Sequence, residues 1–146
     1  MLEASKQVER LAEQMLADAY ELIWSGWCQG TAAADEMGRA IEPSSAFARR
    51  WSAPGALERV WRRTPEDGDV VIEAFERANL ALAAAIRAVP QEWNDAIGRT
   101  CAEVLDALAK ARRLVRPADE MSLVDDLLHS VGRYDTVPGL LSDGRG

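Results

Sequence analysis

Eight consecutive residues, Trp93-Asn94-Asp95-Ala96-Ile97-Gly98-Arg99-Thr100, put an aromatic ring, a carboxamide, a carboxylate and a guanidinium into one short stretch. Such a set suits non-covalent recognition. Asn94 and Asp95 would orient a ligand's donors, Arg99 would bind an anion beside the dipole-positive start of the helix that follows, and Trp93 would stack. A second group, Trp27-Cys28-Gln29-Gly30, would supply another wall of the same pocket, with Gln29 as a hydrogen-bonding arm. The same residues also build a structural corner. In that reading Asn94 and Asp95 bond neighbouring amides, Gly98 turns left-handed, Arg99 pairs with Asp95, Trp93 fills the core and Gln29 satisfies buried backbone. The pocket reading requires Trp27, Gln29, Trp93, Asn94, Asp95 and Arg99 to meet around one solvent-reachable cavity.

Covalent chemistry finds less support. Cys101 stands at the first position of a helix, where a thiol pKa can be depressed. It lacks a base, because His129 is the single histidine and lies far along the chain. No catalytic residue is therefore expected. The carboxylates carry no Glu-x-x-His pair, no calcium-loop spacing and no histidine cluster, so neither a metal nor a cofactor is expected. Cys28 and Cys101 form neither a disulfide framework nor a zinc-ligand spacing and should be free thiols.

Arg49, Arg50, Arg59, Arg62 and Arg63, interleaved with Trp51 and Trp61, superficially resemble a stacking surface for nucleic acid. The net charge of −7 argues otherwise, since affinity for DNA comes from cations that neutralise phosphates. Tryptophans pointing inward and arginines outward, against the acidic 117–146 segment, is the expected arrangement, with no nucleic-acid partner.

These residues need elements to place them. The chain has 146 residues, 48% of them apolar and 28% charged, which fits one globular domain with its own core. No apolar run approaches the ~20 residues that cross a bilayer, and no secretory signal opens the chain, so a soluble, cytoplasmic protein without membrane contact is expected. From Ser5 to Ser25, Val8, Leu11, Ala12, Met15, Ala19, Leu22 and Ile23 recur at helical spacing, and Gly26 ends the run. Residues 31–43 read as a small hairpin or irregular loop turning at Asp35 to Gly38.

Ser44 and Ser45 are N-caps for a second helix with Phe47, Trp51, Leu57 and Trp61 on its face, kinked at Pro54-Gly55 or restarted there with Ser52 as cap. Thr64-Pro65-Glu66-Asp67 signals the start of a third helix, striped by Val71, Phe75, Ala78, Leu82, Ile86 and Val89 and stopped by Pro90. Thr100 and Glu103 have capping-box spacing, so a fourth helix begins at Cys101 and runs through Val104, Leu105, Leu108 and Val115. A shorter fifth helix is expected from Asp119 to Val131, followed by a frayed tail.

Read together, Trp27-Cys28-Gln29-Gly30, Asp35 to Arg39, Trp51-Ser52-Ala53-Pro54-Gly55-Ala56-Leu57, and Trp93-Asn94-Asp95 through Gly98-Arg99-Thr100 to Glu103-Val104-Leu105 resemble the pattern of a family of small uncharacterised bacterial and phage-associated proteins, a domain of unknown function. The resemblance covers roughly the first 110 residues. The chain departs from the pattern at Pro54 and in the extension after Arg116. The resemblance implies a shared helical fold and carries no assigned activity.

The expected fold is a single mainly α domain, a bundle of four core helices over 1–116 with a hairpin or irregular insert after the first, and a helical extension over 117–146. The expected function is a non-enzymatic interaction or regulatory module binding another protein or a second copy through the amphipathic face of Met121, Val124, Leu127, Leu128 and Val131. The alternative is a small-molecule-binding protein or unrecognised enzyme using the pocket around the two tryptophan motifs.

Overall fold

A computed structural model describes residues 2–66 and 68–115, with side-chain surroundings from Ser5 onward. The expected fifth helix and its face of Met121, Val124, Leu127, Leu128 and Val131 lie outside the described residues. The described chain is mainly α. In order it forms α1 (Leu2–Ser25), β1 (Ala33–Ala34), β2 (Arg50–Trp51), α2 (Ala53–Arg63), α3 (Asp69–Ile86), α4 (Pro90–Asn94) and α5 (Cys101–Val115).

The core is made where the three long helices meet. α1, α3 and α5 pack on one another pairwise and α2 lies on α1. The three- and four-residue spacing of Val8, Ala12, Met15, Leu16, Ala19 and Ile23 puts all six on one buried face of α1. Facing them are Ala74, Ala78 and Leu82 of α3 and Val104, Leu108 and Ala111 of α5, all buried. The many alanines remove side-chain bulk at the contacts, so the helices approach closely while Met15, Leu16, Leu82 and Leu108 fill the space between.

The segment between α1 and α2 is an irregular platform tied by backbone bonds. β1 and β2 are antiparallel, with Ala33 opposite Trp51 and Ala34 opposite Arg50. The turn expected at Asp35 to Gly38 forms: the Gly38 amide donates to Asp35 O, and Asp35 Oδ1 accepts from the amides of Met37 and Arg39. An isolated bridge joins Ala34 to Ala40, whereas the strand partner of β1 is Arg50–Trp51, well beyond the turn, a pairing local turn chemistry does not encode. Gly26 and Gly55 permit the close approach of neighbouring backbone, since a Cβ would collide with Arg49 O at the first and Ala32 O at the second.

Several expected boundaries move. Residues 44–49 are turns and not helix: Ser45 Oγ accepts from the Phe47 amide without a helix following, Phe47 is exposed and Trp51 belongs to β2. The restart alternative describes α2. Ser52 is its N-cap, accepting from the Gly55 amide at 3.1 Å, with Pro54 in the first turn. Thr64 ends α2 instead of opening α3, its amide donating to Trp61 O. α3 begins at Asp69 after Gly68, whose φ of 86° sets the turn. It closes at Ile86 with Arg87 left-handed, leaving Val89 exposed, and Pro90 starts α4 where a loop was expected. The capping box is formed as read: the Glu103 amide donates to Thr100 Oγ1 at 3.2 Å and the Thr100 amide to Glu103 Oε1 at 2.9 Å.

Candidate functional site

Pro90 fixes the first turn of α4, and this short helix delivers Asn94 and Asp95 to the place where the end of α1, the start of α2 and the platform converge. Asn94 is fully buried. Its Oδ1 accepts from Trp27 Nε1 at 2.8 Å and from the Ala53 amide at 3.0 Å. Its Nδ2 donates to Cys28 O at 3.0 Å and to Asp95 Oδ1 at 2.9 Å. A carboxamide offers two acceptor positions and two donors, and Asn94 spends all four inside the protein.

Asp95 continues the network. Its Oδ1 also accepts from the Gly30 amide at 2.9 Å, and Gln91 Nε2 donates to both carboxylate oxygens at 3.1 and 3.2 Å. Partial burial pushes the carboxyl pKa up, but the bonds from Gly30, Asn94 and Gln91 outweigh it and hold the group below its ordinary value. Gln91 Oε1 in turn accepts from the buried Ser52 hydroxyl at 3.0 Å, so the N-cap of α2 is tied to α4. Gln29 reaches across from the platform and donates from Nε2 to Asn94 O and Ala96 O, each at 3.0 Å. Asn94 O belongs to the end of the short helix, where carbonyls lack intrahelical partners, and Gln29 supplies one; Ala96 O also accepts from the Arg99 amide at 3.0 Å.

Trp93 and Arg99 form a neighbouring unit. The Arg99 guanidinium lies 3.9 Å from the Trp93 ring centroid, donates from Nε to Trp93 O at 2.9 Å and approaches Glu103 at 3.6 Å. Arg99 does not pair with Asp95, the partner expected from sequence; the left-handed Gly98 turns it back over Trp93 instead. The structure thus joins Trp27, Gln29, Asn94 and Asp95 directly and sets Trp93 and Arg99 beside them. Sequence reading missed Gln91 and the cross-link made by Ser52. The signal was present in part, because Gln91 stands four residues before Asp95 behind a helix-starting proline.

The two cysteines are held as thiols. Burial raises the Cys28 pKa, with the Asp95 charge adding to it, and burial alone raises that of Cys101. Burial thus overrides the depression that a helix start can give the Cys101 thiol, whose Sγ faces Ile23 O at 3.8 Å. Among the described residues no group of three or more His, Cys, Asp or Glu side chains is arranged to hold a metal ion. No described helix is long and apolar enough to cross a membrane.

The arginines cover aromatic faces. Arg59 lies over Trp51 at 4.8 Å and Arg62 over Trp61 at 5.0 Å, while Trp61 stacks on Phe75 at 4.5 Å. Arg62 also pairs with Glu58 at 3.1 Å. A depression of about 410 Å³ opens beside the Asp35 turn, lined by Met37, Arg39, Ile41, Phe47 and Arg49, with Met37 and Phe47 70% exposed or more.

The sequence of residues 8–114 matches the family described as a family of unknown function, DUF6197. No curated protein and no solved structure matches the chain.

Proposed function

We propose, for a chain that belongs to the DUF6197 family of unknown function, that it is a non-enzymatic interaction module whose tryptophan motifs keep the fold and whose outer surface binds a protein partner. One observation carries this reading: the polar atoms that suggested a site are turned on one another, with all four hydrogen-bonding positions of Asn94 consumed internally. A ligand competing for them must first break bonds that close the platform onto α2 and α4. Meanwhile Met37 and Phe47 hold large apolar surface in water at the rim of a depression flanked by Arg39 and Arg49, the composition of a partner-binding patch. We further propose a bacterial or phage-associated role, as the resemblance of its motifs suggests.

The test is photo-crosslinking in the protein's own cells from a reactive residue at position 47, with the exposed Lys110 position as control. A discrete protein adduct from position 47 and none from 110 is expected, and Met37→Ser should reduce it. Equal labelling from both positions, or a small molecule retained in the native mass spectrum and turned over by the protein, overturns the reading.

A further inference from the structure

A second concave surface lies between α1 and α2, away from the tryptophan network. It encloses about 660 Å³, within the range of small-molecule sites. Its floor is apolar, made by Leu11, Met15 and Leu22 of α1 and Val60 of α2. The two helices bring opposite charge to it. Positions 18 and 21, on the same face as 11, 15 and 22, bring Asp18 and Glu21 to the α1 side, while Arg59 and Arg63, one turn apart, line the α2 side, with Glu66 beyond the end of that helix.

These charges remain available. Among the described residues no ion pair joins Asp18 or Glu21 to Arg59 or Arg63. Arg59 is fixed before any ligand arrives: its Nη1 donates to Pro43 O at 2.8 Å and Ser45 O at 2.9 Å, and its guanidinium face rests on Trp51. Burial lowers its pKa, and the neighbours whose charge acts on it, Arg63 and Arg49, lower it further because they too are cations. An anion placed there relieves repulsion that the protein leaves standing. On the other wall, Gln14 Nε2 donates to Asp18 Oδ1 at 2.9 Å and orients the carboxylate.

We infer that this groove binds a small zwitterion with an apolar body, of the amino-acid or short-peptide class, its anionic end on Arg59 and Arg63 and its ammonium end on Asp18 and Glu21. An anion alone meets repulsion from Asp18 and Glu21, and a cation alone meets it from Arg59 and Arg63, so a molecule bearing both charges satisfies the two helices together. The apolar body covers Leu11, Met15, Leu22 and Val60. Nothing in this inference depends on the partner surface at Met37 and Phe47, and a ligand here would make the module responsive to a metabolite.

The probes are leucyl-leucine, its N-acetylated form, which keeps only the carboxylate, and leucyl-leucinamide, which keeps only the amine. Each is titrated into the full chain while backbone amide shifts are followed by NMR. Leucyl-leucine should move amides of residues 14–25 and 59–66 and bind about five- to tenfold more tightly than either blocked form, the effect of one partly screened charge contact. Arg63→Gln should weaken leucyl-leucine and leave leucyl-leucinamide unchanged. Asp18→Asn should weaken leucyl-leucine and leave the N-acetylated form unchanged, with Glu21→Gln reporting on the same wall. All three substitutions sit at exposed positions, so an unaltered amide spectrum elsewhere certifies the fold. Equal affinity for the three probes, variant effects that do not follow the matching charge, or no shifts in these amides overturns the inference.

Discussion

The packed face of α1, α3 and α5 and the polar network around Asn94 both hold this molecule together, by opposite means. The first is a periodic array of Leu, Val, Met and Ala in which each side chain touches many others and no single contact has a required direction. The second is a set of directed bonds in which each polar atom has a named partner and almost no substitute exists. Apolar packing degrades by volume. A closed polar network degrades by orphaning, since removing one member leaves buried donors and acceptors that cost more than the bond was worth.

That contrast is sharpened most by Asn94. Asn94→Ala leaves Trp27 Nε1, the Ala53 amide and Cys28 O without their partner and should cost about 4 kcal/mol or more. Asn94→Leu, which restores volume, should recover little, as chemical denaturation will show. Leu108→Ala should cost about 2–5 kcal/mol, but Leu108→Met should cost less than about 1.5 kcal/mol, because a core of this kind accepts another apolar chain of similar size. If volume rescues both positions equally, the distinction between the two regions is lost.

Smaller effects test the same idea at the edges of the network. Thr100→Ala removes the acceptor for the Glu103 amide and should lower thermal stability by about 1 kcal/mol, with no change in the Trp27 environment monitored by fluorescence. The smallest effect is a slope. Because the folded Asp95 pKa lies below its ordinary 3.8, its contribution is present above that value and lost as the pH falls through the lower folded value. Asp95→Asn should therefore flatten the acid limb of the stability curve, measured from pH 5 down to about pH 2. An unchanged limb would show that the three donors do not favour the ionised form.

Local chemistry explains which parts of this arrangement can be read in advance. The faces of α1 and α5 follow from repeating spacing, and the Thr100–Glu103 box from two residues three apart, so both are contained in short windows. Start and stop signals at Thr64-Pro65 and Val89-Pro90 are ambiguous by nature. A hydroxyl followed by proline caps a helix start, but the same residues also follow a helix end, and tertiary placement decides between them. Here Thr64 closes α2 and Pro90 opens α4, the reverse of the expected roles. The Phe47 and Trp51 stripe was misleading for a related reason: large apolar residues four apart suit a helix face, whereas the pairing of Trp51 with Ala33 pulls residue 51 into an extended strand.

The sequence by itself determined the mainly helical class, the buried faces of α1 and α5 and the box at Thr100, because each depends on residues within one or two turns of one another. Only the tertiary structure decided what the tryptophan motifs do. Trp27 and Asn94 are 67 positions apart, and neither residue's type says whether its polar atoms will face a ligand or each other. That choice is set by which backbone groups the folded chain leaves unpaired at the junction; Asn94, Asp95 and Gln29 are spent on satisfying them, and Gln91 holds the Asp95 carboxylate in place.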